Sequence, residues 1–191
     1  YEVMMTETRT EHDLLGEREV PARHYYGIQT LRAMENFEIT RIPISHYPQF
    51  ITALALVKKA AALTNAQLGL LDEEISTAIT QACDEILSGE FREAFAVDAI
   101  QGGAGTSTNM NANEVIANRA NEILGGELGT YDRVHPNNHA NMSQSTNDVY
   151  PTALRLALHM KLESLLTQMT ALQGYFAEKG SEFSDVIKMG R

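Results

Sequence analysis

The sequence predicts a mainly α-helical fold with a small β element at its start. Three observations predict it. Apolar residues recur at helical spacing through Phe50–Leu68 and again through Ile75–Ile86. A longer stripe from Leu154 to Phe176 keeps that spacing for roughly six turns at 3.6 residues each. Glycine and proline fall mostly between these stripes, where chain direction must change.

Taken in order, residues 1–7 read as an added or disordered start, outside the fold. Leu14–Pro21 carries a turn glycine, Gly16, between short apolar edges and suits a small hairpin. Tyr25–Phe37 suits a short helix, and Ile39–Pro48, with two prolines, an extended connection. Phe50, Leu54, Val57, Ala61, Thr64 and Leu68 mark one face of a helix that Gly69 closes, since glycine tolerates the left-handed conformation. Asp72 then stands as an N-cap ahead of Glu73 and Glu74, acids that suit the positive helix end. Ile75, Ile79, Ala82 and Ile86 form the buried face of this second helix, and Gly89 ends it. A third helix is expected from about Thr108 to Leu124, stopped by Gly125 and Gly126. Gly125–Ser145 is long, irregular and rich in Asn, Ser and His; loops of that length usually serve a function. The last helix is expected from about Thr152 to Phe183, with Pro151 in its first turn, where a missing N–H costs nothing. Its Leu/Met/Phe stripe needs neighbouring helices, so self-association is expected.

Composition limits the function. The chain has 191 residues, 15 basic and 25 acidic, for a net charge of −10, with no basic cluster to suit nucleic acid. Its single cysteine, Cys83, excludes an internal disulfide and reads as a core residue. No apolar run approaches the ~20 residues of a membrane span, and the start has no apolar signal core. The expected compartment is the cytoplasm.

Three constellations carry candidate chemistry. Gly102-Gly103-Ala104-Gly105 precedes a helix and reads either as a plain turn or as a cradle whose N–H groups face an anion. It is neither G-x-G-x-x-G nor a P-loop. Thr106, Ser107, Thr108, Asn109, Asn111 and Asn113 follow it. These are short neutral donors and mediocre helix formers, which favours a functional reading. Ser143-Gln144-Ser145-Thr146-Asn147-Asp148 offers hydroxyls and an amide at the start of the long helix, as caps, as anion donors or as both. His135 and His139 lie four apart, but Pro136 between them breaks the helical register a zinc pair needs, so no metal site is assigned.

These stretches resemble the aspartase/fumarase superfamily. Gly102 through Val115 is similar to its first signature region, and His135-Pro136-Asn137 through Gln144-Ser145-Thr146-Asn147-Asp148 to its second. Asp13-Leu14-Leu15-Gly16, Tyr25-Tyr26-Gly27, Ala104-Gly105-Thr106-Ser107 and Gln144-Ser145-Thr146-Asn147 resemble the aspartase branch rather than class II fumarases. The resemblance implies an aspartase/fumarase-type N-terminal helical domain with a small β element over 8–148. Residues 149–191 would then be the first long helix of a central helical bundle. It also implies reversible deamination of L-aspartate to fumarate and ammonia through an aci-carboxylate, with no organic cofactor. Thr106, Ser145 and Thr146 would hold the substrate carboxylate that takes up charge, and Asn147 would face its amino group. The base, a serine on a mobile loop, belongs to a later signature that these residues do not contain, so no catalytic residue is assigned here and this fragment is expected to be inactive alone. The full enzyme is expected to be a homotetramer. A second anion site, known from the fumarase branch, would fall on His135 and Asn137, though Asp132 and Asn138 depart from that pattern. A class II fumarase or other superfamily lyase, and a non-catalytic assembly or binding module, are the alternatives.

Overall fold

A computed structural model of the chain describes residues 7–101 and 103–190. The expected disordered start therefore lies outside the described residues except for Glu7, as do Gly102 of the glycine loop and Arg191.

The chain opens with a two-stranded antiparallel hairpin, β1 (Thr8–Asp13) and β2 (Gly16–Pro21), paired in register from Thr8 with Pro21 to Asp13 with Gly16. Gly16 takes a positive φ of 109° at the turn, which glycine adopts without a Cβ penalty. Helix α1 (Ile28–Asn36) follows. It has no cap of its own. Instead the Glu114 carboxylate, far along the chain, accepts from the N–H groups of Gly27, Gln29 and Thr30 at 2.9, 2.8 and 3.0 Å and from the Thr30 hydroxyl at 2.6 Å. Glu11 takes the Ile28 N–H at 2.9 Å. Two acids on separate elements thus supply the acceptors that a helix start needs, although burial pushes the Glu114 carboxyl up to about 7 against the pull of these donors.

Helices α2 (Pro48–Gln67) and α3 (Glu73–Leu87) form the expected αα-hairpin. Asp72 caps α3 by accepting from the Glu74 N–H at 2.9 Å, and Gly69 and Gly89 take positive φ just past the two helix ends. The buried face of α2 differs from the expected one. Leu54, Ala55, Lys58, Ala62 and Asn65 are buried, whereas Thr64 and Leu68 are exposed. The face is turned by about one residue because it includes Lys58 and Asn65, which an apolar pattern leaves out. On α3 the expected Ile79, Ala82 and Ile86 are buried, and Cys83 is buried with them.

Helix α4 (Thr106–Ile123) is the central element, buried along most of its length. Several of its asparagines hold neighbouring backbone, among them Asn111, which the sequence grouped with the donors after the glycine loop. Asn111 donates to the Ala94 carbonyl at 2.9 Å, and Asn118 to that of Tyr25 at 2.8 Å. Asn121 donates to the Val134 carbonyl and accepts from the N–H groups of Arg133 and Val134. A buried amide with both a donor and an acceptor can satisfy irregular backbone on either side. Asn121 holds the 125–145 stretch in this way at Arg133 and Val134, and Asn118 holds it at Gly129, whose N–H it accepts at 2.7 Å. The stretch contains one wide helical turn, Pro136–Ala140.

Helix α5 (Thr146–Glu182) begins six residues earlier than expected. Ser145 caps it, its hydroxyl accepting from the Asn147 N–H at 3.2 Å. Pro151 consequently lies inside the helix, not in its first turn, and the carbonyl of Asn147 lacks its i+4 donor. The helix packs on α2 through Val149, Ala153 and Ala157. Beyond Met160 every described residue is exposed; Leu158 borders a groove shared with Tyr47 and Phe50, and the stripe then continues exposed through Leu162, Leu165, Met169, Leu172 and Phe176. No helix is long and apolar enough to cross a membrane among the described residues.

Candidate functional site

Two helix N-termini meet at one place. Gly105, the residue before α4, takes a left-handed φ of 89°, and its Cα lies against the ring of Tyr150 on α5. A Cβ at position 105 would sit 2.7 Å from Tyr150 Cε2 and closer still to Cγ and Cδ2. Only glycine allows both this conformation and this approach. Tyr150 is backed in turn by Phe50, edge to face at 5.4 Å. The two helix starts are also tied by a side chain, since Asn109 on α4 donates to the Thr146 hydroxyl oxygen at 3.2 Å.

A cavity of about 400 Å³ opens at this junction, lined by Ala99, Ile100, Gln101, Gly103, Ala104, Gly105, Asn147, Tyr150 and Pro151. Among the described residues its lining holds no carboxylate, histidine, lysine or arginine, and Tyr150 is the one titratable side chain in it. The floor is fixed from outside. Gln101 donates to the Thr108 hydroxyl at 2.6 Å and accepts from the Thr108 N–H at 3.0 Å. Just upstream, Asp98 accepts from the N–H groups of Ile39, Thr40, Arg41 and Ile100 and from the Thr40 hydroxyl. Desolvation pushes its carboxyl up, but the Thr40 hydroxyl and these N–H groups outweigh it and hold the group well below the usual carboxylate range.

The four residues singled out for ligand contact divide as follows. Thr106 is the exposed first residue of α4. Ser145 and Thr146 are the cap and first residue of α5, and Asn147 follows in the cavity wall. Two helix starts that carry the exposed Thr106 and Ser145 hydroxyls, the half-buried Thr146 hydroxyl and the exposed Asn147 amide suit an anionic group. Thr108, Asn111 and Asn113, grouped with them by sequence, are buried in the fold. Asn109 is buried too, but it reaches Thr146 and so belongs to the site's support.

His135 is spent within its own loop. Its Nδ1 accepts from the N–H groups of Asn137 and Asn138 at 3.1 and 3.3 Å, and burial lowers its affinity for a proton. His139 Nδ1 accepts from the His135 N–H at 2.9 Å, so the two rings do not face one ion. Among the described residues no group of three or more His, Cys, Asp or Glu side chains is placed to hold a metal.

The sequence reading missed Lys58, which lies fully buried behind Thr146 and Asn109. One signal was available. At four residues from Leu54 and from Ala62, position 58 continues the buried face, and a lysine there breaks an otherwise apolar row.

Comparison with known proteins agrees with this architecture. A family model described as a lyase matches residues 16–191. Aspartate ammonia-lyase from Pseudomonas fluorescens is 58% identical over 96% of this chain, and that from Bacillus subtilis 56% identical over 97%. The chain spans 38% of the length of each of these relatives. Among solved structures, fumarate lyase:delta crystallin from Brucella melitensis superposes with a TM-score of 0.92 at 55% identity, over 97% of this chain and 43% of the other. Class II fumarase from Schistosoma mansoni superposes with 0.88 at 38% identity, over 97% of this chain and 39% of the other. A chain that keeps this fold along its described length, and that one family pattern covers from Gly16 onward, belongs to that lyase family.

Proposed function

We propose that these residues are the N-terminal part of an aspartate ammonia-lyase, which converts L-aspartate reversibly to fumarate and ammonia. The relatives that bear this name support it, as do the four places where the sequence follows the aspartase branch. The observation that carries it is the meeting of two helix N-termini around a cavity lined with neutral groups. Removing a proton from Cβ of aspartate puts a second negative charge on the neighbouring carboxylate. The electron pair then returns to form the carbon–carbon double bond as the Cα–N bond breaks and the nitrogen leaves. Fixed N–H and O–H donors aimed at that carboxylate stabilise the step without titrating themselves.

In this reading Thr106, Ser145 and Thr146 hold the carboxylate and Asn147 faces the amino group. As the resemblance implies, the base comes from a segment beyond these residues, and residues 1–191 alone have no turnover. Residues 8–148 form the N-terminal domain, and 149–191 supply the first helix of a bundle whose partners cover the apolar stripe of α5 in a homo-oligomer. A second anion site at His135 and Asn137 has only the His135 Nε2 side left to offer.

The test is an assay of the full-length protein. L-aspartate yielding both fumarate absorbance and ammonia supports the reading. Fumarate from malate but not from aspartate replaces it with a fumarase, and fumarate from neither substrate removes both.

A further inference from the structure

Lys58 is fully buried on α2. Its ammonium donates to three amide oxygens, Asn109 Oδ1 at 2.7 Å, Gln144 Oε1 at 2.9 Å and Asn141 Oδ1 at 3.0 Å. Each of its three protons therefore has an acceptor, yet none of those acceptors carries charge. No carboxylate lies within ion-pair distance of it among the described residues. Burial lowers its affinity for a proton, to a pKa of about 7. A buried cation without a counter-charge is costly, and an apolar side chain of equal length would fill the same space at less cost. Its retention calls for a use.

The hydrogen bonds indicate where the charge acts. Asn109, whose oxygen takes the ammonium, spends both N–H bonds as well, one on Asn141 Oδ1 at 3.0 Å and one on the Thr146 hydroxyl at 3.2 Å. An amide polarised at its oxygen donates more strongly from its nitrogen. Thr146 therefore receives a hydrogen bond on its oxygen, and its own proton is left for a ligand. Gln144 and Asn141, the other two acceptors, brace the turn that leads into Ser145. Gln144 donates to the carbonyls of Ala140 and Met142, and Asn141 to that of Gln144.

We propose that Lys58 is a positioning residue for the carboxylate end of the site: through Asn109 it orients the Thr146 hydroxyl as a donor. This rests on the reading that the starts of α4 and α5 hold the substrate carboxylate.

The test uses the full-length protein, with Lys58→Met, Thr146→Val and the pair combined, each measured for kcat and KM with L-aspartate and for binding of the unreactive dicarboxylate succinate. Lys58→Met alone should lower kcat/KM by about tenfold or more, mainly in kcat, yet by less than about threefold once Thr146→Val has removed the hydroxyl it orients. Losses that simply multiply, or a Lys58→Met protein within about twofold of its parent, overturn the proposal. Should Lys58→Met not fold, Asn109→Ala breaks the same line at its second link and is put through the same cycle with the same criteria. If the parent protein makes no fumarate, the reading of the activity falls. The cycle on succinate affinity then decides the role of Lys58 separately.

Discussion

Gly105→Ala tests whether the junction of the two helix starts is the site. The structure gives two separate costs. At a φ of 89° an alanine is held in left-handed backbone, a penalty of about 1–2 kcal/mol. Its Cβ would also stand 2.7 Å or less from three carbons of the Tyr150 ring. Restoring a carbon–carbon separation of about 3.5 Å to all three carbons requires the ring or the loop to move by more than ~1 Å. Tyr150 is backed by Phe50, so the ring has little room to retreat and the glycine loop is expected to give way. A displacement of about 1 Å at a set of preorganised donors costs on the order of 10²-fold in rate. The assay is steady-state turnover of L-aspartate by the full-length protein, repeated in a Tyr150→Ala background. There the clash is gone and only the backbone penalty is left, so adding Gly105→Ala should cost no more than about thirtyfold. A single variant within about threefold of the parent, or an equal loss in both backgrounds, would refute the claim that close contact between the glycine loop and α5 shapes the site.

Thr146→Val keeps the volume of the side chain and removes its hydroxyl; kcat/KM should fall roughly 10²-fold if that hydroxyl donates to the charge formed at the carboxylate, and an unchanged rate would return Thr146 to a purely helix-starting role. Leu162→Glu with Leu172→Glu places charge on the exposed stripe of α5; sedimentation should then show smaller species than the parent chain, and a parent already monomeric at high concentration would sink the self-association argument. For Asp98 the sign is that of a carboxylate held below its unfolded value, so its contribution is fully present above about pH 4 and is lost as pH falls further. Amide exchange should show the N–H groups of Thr40, Arg41 and Ile100 losing protection in acid ahead of those in α4, and Asp98→Asn should expose them already at neutral pH. Gly27→Ala would drive a Cβ to within 2.9 Å of the Glu11 and Glu114 carboxyl groups; a lower thermal midpoint is expected, and an unchanged one would show that this double cap of α1 is slack.

What the sequence revealed, and what it hid, follows from the kind of side chain involved. Helices whose buried faces are apolar, such as α3 with Ile79, Ala82 and Ile86, are legible from spacing alone. Their ends are legible too where a glycine or an aspartate closes them, as Gly69, Asp72 and Gly89 do. The apolar stripe on α5 was equally plain, although the residues that would cover it are not in this chain's described fold. The signal fails where burial is polar. Lys58 and Asn65 turn the true face of α2 away from the one its leucines suggest, and the buried asparagines of α4 look like ligand donors although most of them hold loops. The start of α5 was misplaced for a related reason. Pro151 is a strong local marker for a first turn, but the Ser145 cap sets the helix going earlier. For Lys58 and for the asparagines of α4 a hydrogen bond to a residue far along the chain decided the matter, and local periodicity carries no record of such a bond. The same physics marks the candidate site. Its candidate donors, Thr106, Ser145, Thr146 and Asn147, could be named because their motifs resemble those of a known family, although the start of α5 that carries three of them was not legible from local pattern. Lys58 could not be named, because its meaning lies in Asn109, Asn141 and Gln144, which only the folded chain brings around it.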